Sequence, residues 1–386
     1  MRVKPPPVAA PPPEHRLLLA CARLVLAADG APGPDLLQGV DAERLHALAV
    51  RHGMLPLLAR CLGSAGAAGA PLFGAIRPRV LEGSRSSMAL TAELLAVVRR
   101  LEVRGVPVMA YKGPALAMQA YGDPALRRFG DLDLVVAPAA LDRAVAALEE
   151  LGFEGEPLGS AEHRAAVLRD GHHLALSRGR VIVELHWRFG KRIFGYAEDV
   201  TGARERRQTL SVAGTDVPVL APGDHLLALS IHASKDMWPA LEGILSIAML
   251  ARVLPAGAWD GVAARAEGWG CARALQVGLL LSEALFDIPA PSALWARLPP
   301  DRGTRALARR VARLTLAGAP SPAAYLRAQV ALRRGAPAKL AFVLRSMFVA
   351  SPEDYAEGGG TRRELALARI ARPFRLLRKY GGEDRG

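Results

Sequence analysis

Two carboxylates set two residues apart inside an apolar run, Gly130-Asp131-Leu132-Asp133-Leu134-Val135-Val136, restrict this chain more than any other segment. On an extended strand, residues two apart face the same way. Asp131 and Asp133 therefore project together while Leu132, Leu134 and Val136 face a core. Side-by-side carboxylates repel unless a cation stands between them. Divalent magnesium meets that need, because it takes oxygen ligands and bridges to substrate phosphates. The alternative is a solvated acidic face on an edge strand, and the Asp-x-Asp spacing by itself leaves both open.

The neighbouring segments favour the metal. In the run from Val181 to Trp187, Ile182, Glu184 and His186 share one face. A charged residue in so apolar a run needs a partner. Beside the Asp-x-Asp strand, Glu184 becomes a third carboxylate. Three carboxylates on adjacent strands can hold two metal ions about 3.5–4 Å apart, the arrangement used for in-line phosphoryl or nucleotidyl displacement. Upstream, Val106 to Tyr111 reads as a short strand, and Lys112-Gly113-Pro114 reads as a turn into a helix. Backbone N–H groups at such a helix start bind phosphate. Lys112 adds charge there, and Arg127 or Arg128 can clamp a phosphate oxygen.

The rest of the chain reads as helical scaffold. Its 51% hydrophobic residues include only 5% aromatics, and Ala and Leu, the strongest helix formers, carry much of the share. The 386 residues suffice for two or three domains. The expected division is a Pro-rich disordered tail over 1–14, a helical region over 15–103, an α/β core over 104–220, a second helical region over 221–330 and a basic segment over 331–386. Asp41 is placed to cap one helix and Asp224 another, and a longer helix is expected from about Ser87 to Arg104. The glycine-rich stretch from Gly63 to Pro71 has no strand before it and no Lys-Ser or Lys-Thr after it, so it reads as a connector rather than a phosphate loop. His172 to Ser177 and Val181 to Trp187 flank Arg178-Gly179 as a hairpin.

No apolar run approaches the ~18 residues of a membrane span. Cys21, Cys61 and Cys271 are too few and too far apart for a disulfide framework or a zinc site, which points to the cytosol. The formal charge is +13, but the last 86 residues hold 18 basic and 7 acidic side chains, so the α/β core is nearly balanced.

The segment YKGPALAMQAYGDPALRRFGDLDLVV, followed by VIVELHW, PGDHLLALSIHASKDMW and a terminal ARPFRLLRKYG, resembles the bacterial uncharacterised nucleotidyltransferase family within the polymerase-beta-like superfamily. The resemblance spans most of the chain after about Asp41. It implies an α+β fold, with a small mixed-sheet core flanked by N-terminal and C-terminal helical regions. It also implies Mg²⁺-dependent transfer of a nucleoside monophosphate from an NTP, ATP by expectation, to an acceptor, with Mn²⁺ as the substitute ion. Carried over by position, Asp131 and Asp133 are the metal ligands, Glu184 is the third carboxylate, and Lys112, Gly113 and Arg127 bind the nucleotide phosphates. Two positions depart from the pattern. Glu184 stands where the superfamily most often has Asp, and Ser246 stands near a place where the family tends to carry Asp. The helix around Ser246 is therefore left out of the expected site.

Among the histidines, His186 shares a face with Glu184 and is a candidate for orienting a carboxylate or touching the acceptor. His232, with Lys235 on the same helical face, is a candidate for triphosphate or acceptor, against the favoured alternative that His225 and His232 cap and pack. His172 and His173 are expected to be solvent-exposed. The basic stretch TRRELALARIARPFRLLRKY has the character of a nucleic-acid or anionic-membrane contact, although docking or plain solvation is favoured. The expected protein is thus a cytosolic nucleotidyltransferase acting on a small-molecule or protein hydroxyl. The alternatives are a non-catalytic nucleotide- or RNA-binding module on the same fold, and an enzyme that modifies RNA ends.

Overall fold

The computed structural model describes residues 12–27, 31–155, 161–318 and 321–349. The basic stretch TRRELALARIARPFRLLRKY lies outside the described residues. The fold is α+β: one seven-stranded mixed sheet carried by many helices. The strands are β1 (Val108–Ala110), β2 (Leu132–Val136), β3 (Glu154–Gly155), β4 (His173–Arg178), β5 (Val181–His186), β6 (Gln208–Val212) and β7 (Thr215–Val219). Their spatial order is β3-β4-β5-β2-β1-β7-β6. β2 runs parallel to β5 and antiparallel to β1, while β1 runs parallel to β7.

The alternating pattern of β2 serves two separate cores, because both faces of a central strand are covered. Leu132, Leu134 and Val136 pack with Leu94, Val97 and Leu101 of the helix Ala70–Val103, and with Leu141, Ala144 and Leu148 of the helix Leu141–Glu149. On the opposite face, Val135 joins Met109, Tyr111 and Phe189 in a larger core. That core is built by the helices Pro222–Lys235, Leu241–Val253 and Ala272–Phe286. Asp133 shares this second face. Asp133 is therefore buried beneath the helical body, whereas Asp131, just before β2, is half-buried.

Several local expectations are corrected. The helix expected from Ser87 begins at Ala70 and includes Pro78, so the Gly63–Pro71 stretch is compressed into a helix end, one short 3-10 turn and a new helix start. The first helix starts at Pro13, inside the stretch expected to be a disordered tail. Asp41 does cap its helix, accepting from the Arg44 N–H at 2.8 Å. Asp224 does not: the helix begins at Pro222, and the fully buried Asp224 carboxylate is instead held by Arg206 and Arg265, each at 2.8 Å. A buried carboxylate with two guanidinium partners is better compensated than a cap would be.

The β4–β5 hairpin turns at Gly179, whose φ of +59° glycine adopts without strain. Its register places His173 opposite His186 and Ala175 opposite Glu184. No single helix among the described residues is long and apolar enough to cross a membrane.

Gly171 sets the entry to β4. A Cβ there would meet the Val167 carbonyl at 2.6 Å and the Trp187 ring at 3.2 Å, so a side chain would push the hairpin off the helix Ala161–Asp170. Gly171→Ala is expected to cost roughly 1–3 kcal/mol, the usual range for overpacking. A lowered urea midpoint with an unchanged slope checks it.

Candidate active site

The parallel register of β2 with β5 sets Asp133 beside Glu184, and Val135 beside His186. With two-residue alternation, Asp131, Asp133, Glu184, His186 and His173 occupy one face of three adjacent strands. Oxygens of Asp131, Asp133 and Glu184 lie within 4.8 Å of one another. The three expected carboxylates thus converge.

Asp133 is the most deeply placed, with a side chain 1% exposed. Lys112 Nζ donates to its Oδ1, and His186 Nε2 approaches the same oxygen at 2.9 Å. Burial would raise the Asp133 pKa, but the Lys112 ammonium, followed by the hydrogen bond from His186, holds it well below the usual carboxylate range. Asp131 is half-buried, and burial together with repulsion from Asp133 pushes its pKa up. Glu184 Oε2 lies 3.1 Å from His186 Nε2. Burial opposes its ionisation, yet the His186 hydrogen bond and the nearby His173 leave its pKa lowered. For His186, burial favours the neutral ring, but its hydrogen bonds to Asp133 and Glu184 outweigh burial and raise its pKa.

The turn carrying Lys112 is bent to deliver this ammonium. Lys112 has φ +64° and Gly113 has φ +49°, two successive residues in the left-handed half of the map. A non-glycine residue there is strained and persists only when its surroundings over-determine it. Here the Lys112 N–H points to His225 Nε2 at 3.4 Å, and its carbonyl accepts from Leu116 N–H at 3.1 Å in the first turn of the helix Gly113–Tyr121. The Lys112 ammonium also stands 5.0 Å over the Tyr111 ring. The tautomer of His225 is set by Gln119, whose Oε1 lies 2.6 Å from Nδ1 while its Nε2 donates to the Leu220 carbonyl at 2.9 Å. Nε2 of His225 is then the acceptor, and the ring must be neutral. Burial, with Arg127 and Lys112 nearby, lowers its pKa to about 3. His225 is a positioning residue, in line with the packing role favoured for it.

Arg127 lies at the edge of the same face. Its Nε donates to Glu242 at 2.6 Å, and Glu242 also accepts from Ser246 Oγ at 2.6 Å. Ser246 Oγ is in turn 3.0 Å from the Tyr121 hydroxyl. The helix Leu241–Val253, left out of the expected site, thus meets its edge through Glu242, which holds Arg127, while Ser246 reaches only Glu242 and Tyr121 among the described residues. No local motif marks Glu242, because its partner lies 115 positions away.

His172 differs from the expected solvent exposure, while His173 is partly exposed. His172 is 5% exposed, and its ring centroid lies 4.2 Å from that of His173. The hairpin register sets His173 opposite His186, with ring centroids 5.1 Å apart, and the His172 ring lies 5.9 Å from that of His186. Counting back from the turn at Gly179 would have found that pairing. His232 is half-buried, and burial, with Lys112 and Lys235 near it, pushes its pKa well below the ordinary value. Lys235 pairs with Asp236 at 3.5 Å.

The donor set fits a hard divalent cation. Three carboxylates supply oxygen ligands, and Asp133 Oδ2 is buried with no hydrogen-bond partner among the described residues. The sequence model of a family described as uncharacterised nucleotidyltransferase matches residues 38–287, a span that contains all of these side chains. No curated protein matches the chain.

Two outcomes follow from the buried supports. Glu242→Ala leaves Arg127 buried without its partner and is expected to cost about 3–5 kcal/mol of stability, measured by urea denaturation. His225 is neutral when folded and has an ordinary pKa near ~6.5 when unfolded. Its contribution is therefore complete above that value and is lost as pH falls toward about 3. Below pH ~6, wild type should lose up to about 1.4 kcal/mol per pH unit more than His225→Gln, a difference that unfolding curves across pH would reveal.

Proposed function

We propose, since the chain belongs to the uncharacterised nucleotidyltransferase family, that it moves a nucleoside monophosphate from an NTP to an acceptor hydroxyl on a small molecule or protein. The finer placement, in the polymerase-beta-like superfamily, belongs to the same reading. The observation that carries it is the convergence of Asp131, Asp133 and Glu184 on adjacent strands, with oxygens within 4.8 Å.

In this reading the three carboxylates hold Mg²⁺, or Mn²⁺ in its place. The bound ion supplies charge neutralisation for the triphosphate and for the attacking oxygen. The protein's own groups do the rest. Lys112 fixes the rotamer of Asp133 and compensates its charge, so the other oxygen, Oδ2, is left for a ligand. His186 locks Asp133 and Glu184 to each other through one ring nitrogen and thereby sets the spacing of the acidic group. The Lys112-Gly113 turn opens the helix Gly113–Tyr121, whose N-terminal N–H groups favour a phosphate oxygen. Gly113 takes the left-handed conformation of this turn, φ +49°, without strain. Arg127, held in place by Glu242, directs positive charge at the same face. Glu184 is 21% exposed, at the open margin of the cluster where an acceptor hydroxyl would approach.

The buried Lys112–Asp133 pair favours one competing reading, a nucleotide-binding module that does not turn over. Both readings are separated by pyrophosphate release from the purified full chain, supplied with each NTP, Mg²⁺ and hydroxyl acceptors including the protein itself. Release should require Mg²⁺, stop on chelation, and fall about 100-fold or more in Asp133→Ala and Asp131→Asn, since losing even an outer-shell partner of a metal ligand costs about 10–100-fold. Equal release by wild type and both variants would sink the transfer reading.

A further inference from the structure

The same sheet face carries a second set of donors of different chemistry. His173, Glu184 and His186 each place one ligating atom within 4.8 Å of the other two. Glu184 Oε2 is 3.1 Å from His186 Nε2 and 3.6 Å from His173 Nδ1. In a tetrahedral site with bonds of about 2.0–2.1 Å, neighbouring ligand atoms stand about 3.3 Å apart, which these two spacings bracket. His173 Nδ1 has no hydrogen-bond partner among the described residues and only its ionic contact with Glu184, while at His186 an ion would replace the Nε2 proton now shared between Asp133 and Glu184. His186 is 2% exposed, with a ring fixed by packing against Tyr111 and His173. His173 and Glu184 are 30% and 21% exposed, so the cluster opens to solvent on the side where a fourth ligand would enter.

We propose that His173, Glu184 and His186 form a second cation site, distinct in preference from the all-oxygen site of Asp131 and Asp133, and that it takes a borderline transition ion, Zn²⁺ or its analogue Co²⁺. Two imidazoles and one carboxylate with an open position are the donor set of such ions, whereas Mg²⁺ prefers carboxylate and water. The hairpin supplies the preorganisation. Direct cross-strand pairing brings His173 to His186, and the two-residue repeat of β5 adds Glu184. Ala175, opposite Glu184, is small and leaves the carboxylate room to turn toward the histidines. Because Glu184 serves both sets, an ion at the histidines engages an oxygen of the carboxylate group next door.

The site stands on this geometry alone and does not depend on the transfer reaction, so direct binding tests it. Apo full-length protein is titrated with Co²⁺ and followed by the visible absorption of the tetrahedral ion. We expect saturation at one equivalent per chain, displacement by Zn²⁺ and no displacement by millimolar Mg²⁺. His173→Ala should weaken binding about 10-fold or more. His186→Gln should do the same, with His173→Ala decisive if the buried variant fails to fold. Asp131→Asn should leave the titration unchanged. The proposal is overturned by a missing band, by His173→Ala binding Co²⁺ like wild type, or by loss of the band in Asp131→Asn, which would put the ion among the aspartates. Mg²⁺-dependent pyrophosphate release without a cobalt band would remove this site and leave the transfer reading intact. A cobalt band without turnover would do the reverse.

Discussion

The structure is organised around one buried charge, the Asp133 carboxylate in the middle of a strand whose every residue is buried. Taking a carboxylate out of water costs several kcal/mol unless hydrogen-bonded partners of opposite charge come with it. Two elements far apart in sequence supply them. Lys112 arrives from the β1 turn and His186 from the end of β5. Each imposes a further demand. Lys112 reaches Asp133 from a backbone with φ +64°, and that turn is held by His225, whose tautomer Gln119 fixes. A chain of ordinary hydrogen bonds from Leu220 through Gln119 and His225 to Lys112 therefore stabilises one strained residue for the sake of one carboxylate.

A second buried pair, Arg127 with Glu242, fastens the sheet to the helical body on the same side. Glu242 links three elements at once. Its backbone N–H donates to the His52 carbonyl at 3.1 Å, its carboxylate takes Arg127, and the same carboxylate accepts from Ser246. Gly53 allows this approach, since a Cβ there would meet the Glu242 Cβ at 3.0 Å. The C-terminal helices are in this way part of the wall around the acidic face. A shift of the helix Leu241–Val253 would move Arg127, whose charge acts on Asp131 and Asp133.

What was legible in the sequence followed from short-range periodicity. Alternation in Asp131–Val136 and in Val181–Trp187 is enough to place three carboxylates on one face, and the turn after Val108–Ala110 announces itself through Lys112-Gly113-Pro114. What was not legible depended on partners more than a hundred positions away, or on how deeply a segment is covered. Asp224 resembles a helix cap by position but is buried between two arginines, because the helix begins two residues earlier. His172 resembles a strand-end residue in water but is covered, because Trp187 and Arg188 both donate to its carbonyl and draw the hairpin inward. Glu242 carries no local signal. A buried ion pair is a property of packing, and periodicity reports only which side of an element is buried, not what meets it there.

The local charge also decides what kind of anion this face can accept. The chain as a whole carries +13, which by itself suggests an affinity for phosphate. The surface that would meet a triphosphate is different: three carboxylates stand against one lysine and a histidine shared between two of them, while the nearby arginine is already paired. A polyphosphate approaching such a group is repelled unless cations come with it, because the low dielectric around Asp133 strengthens like-charge repulsion as much as attraction. The excess of basic residues lies mostly beyond residue 300. An acidic face of this kind therefore takes up a polyphosphate only together with cations that offset its charge, so in the transfer reading proposed above a divalent ion would bear on binding as well as on the chemical step.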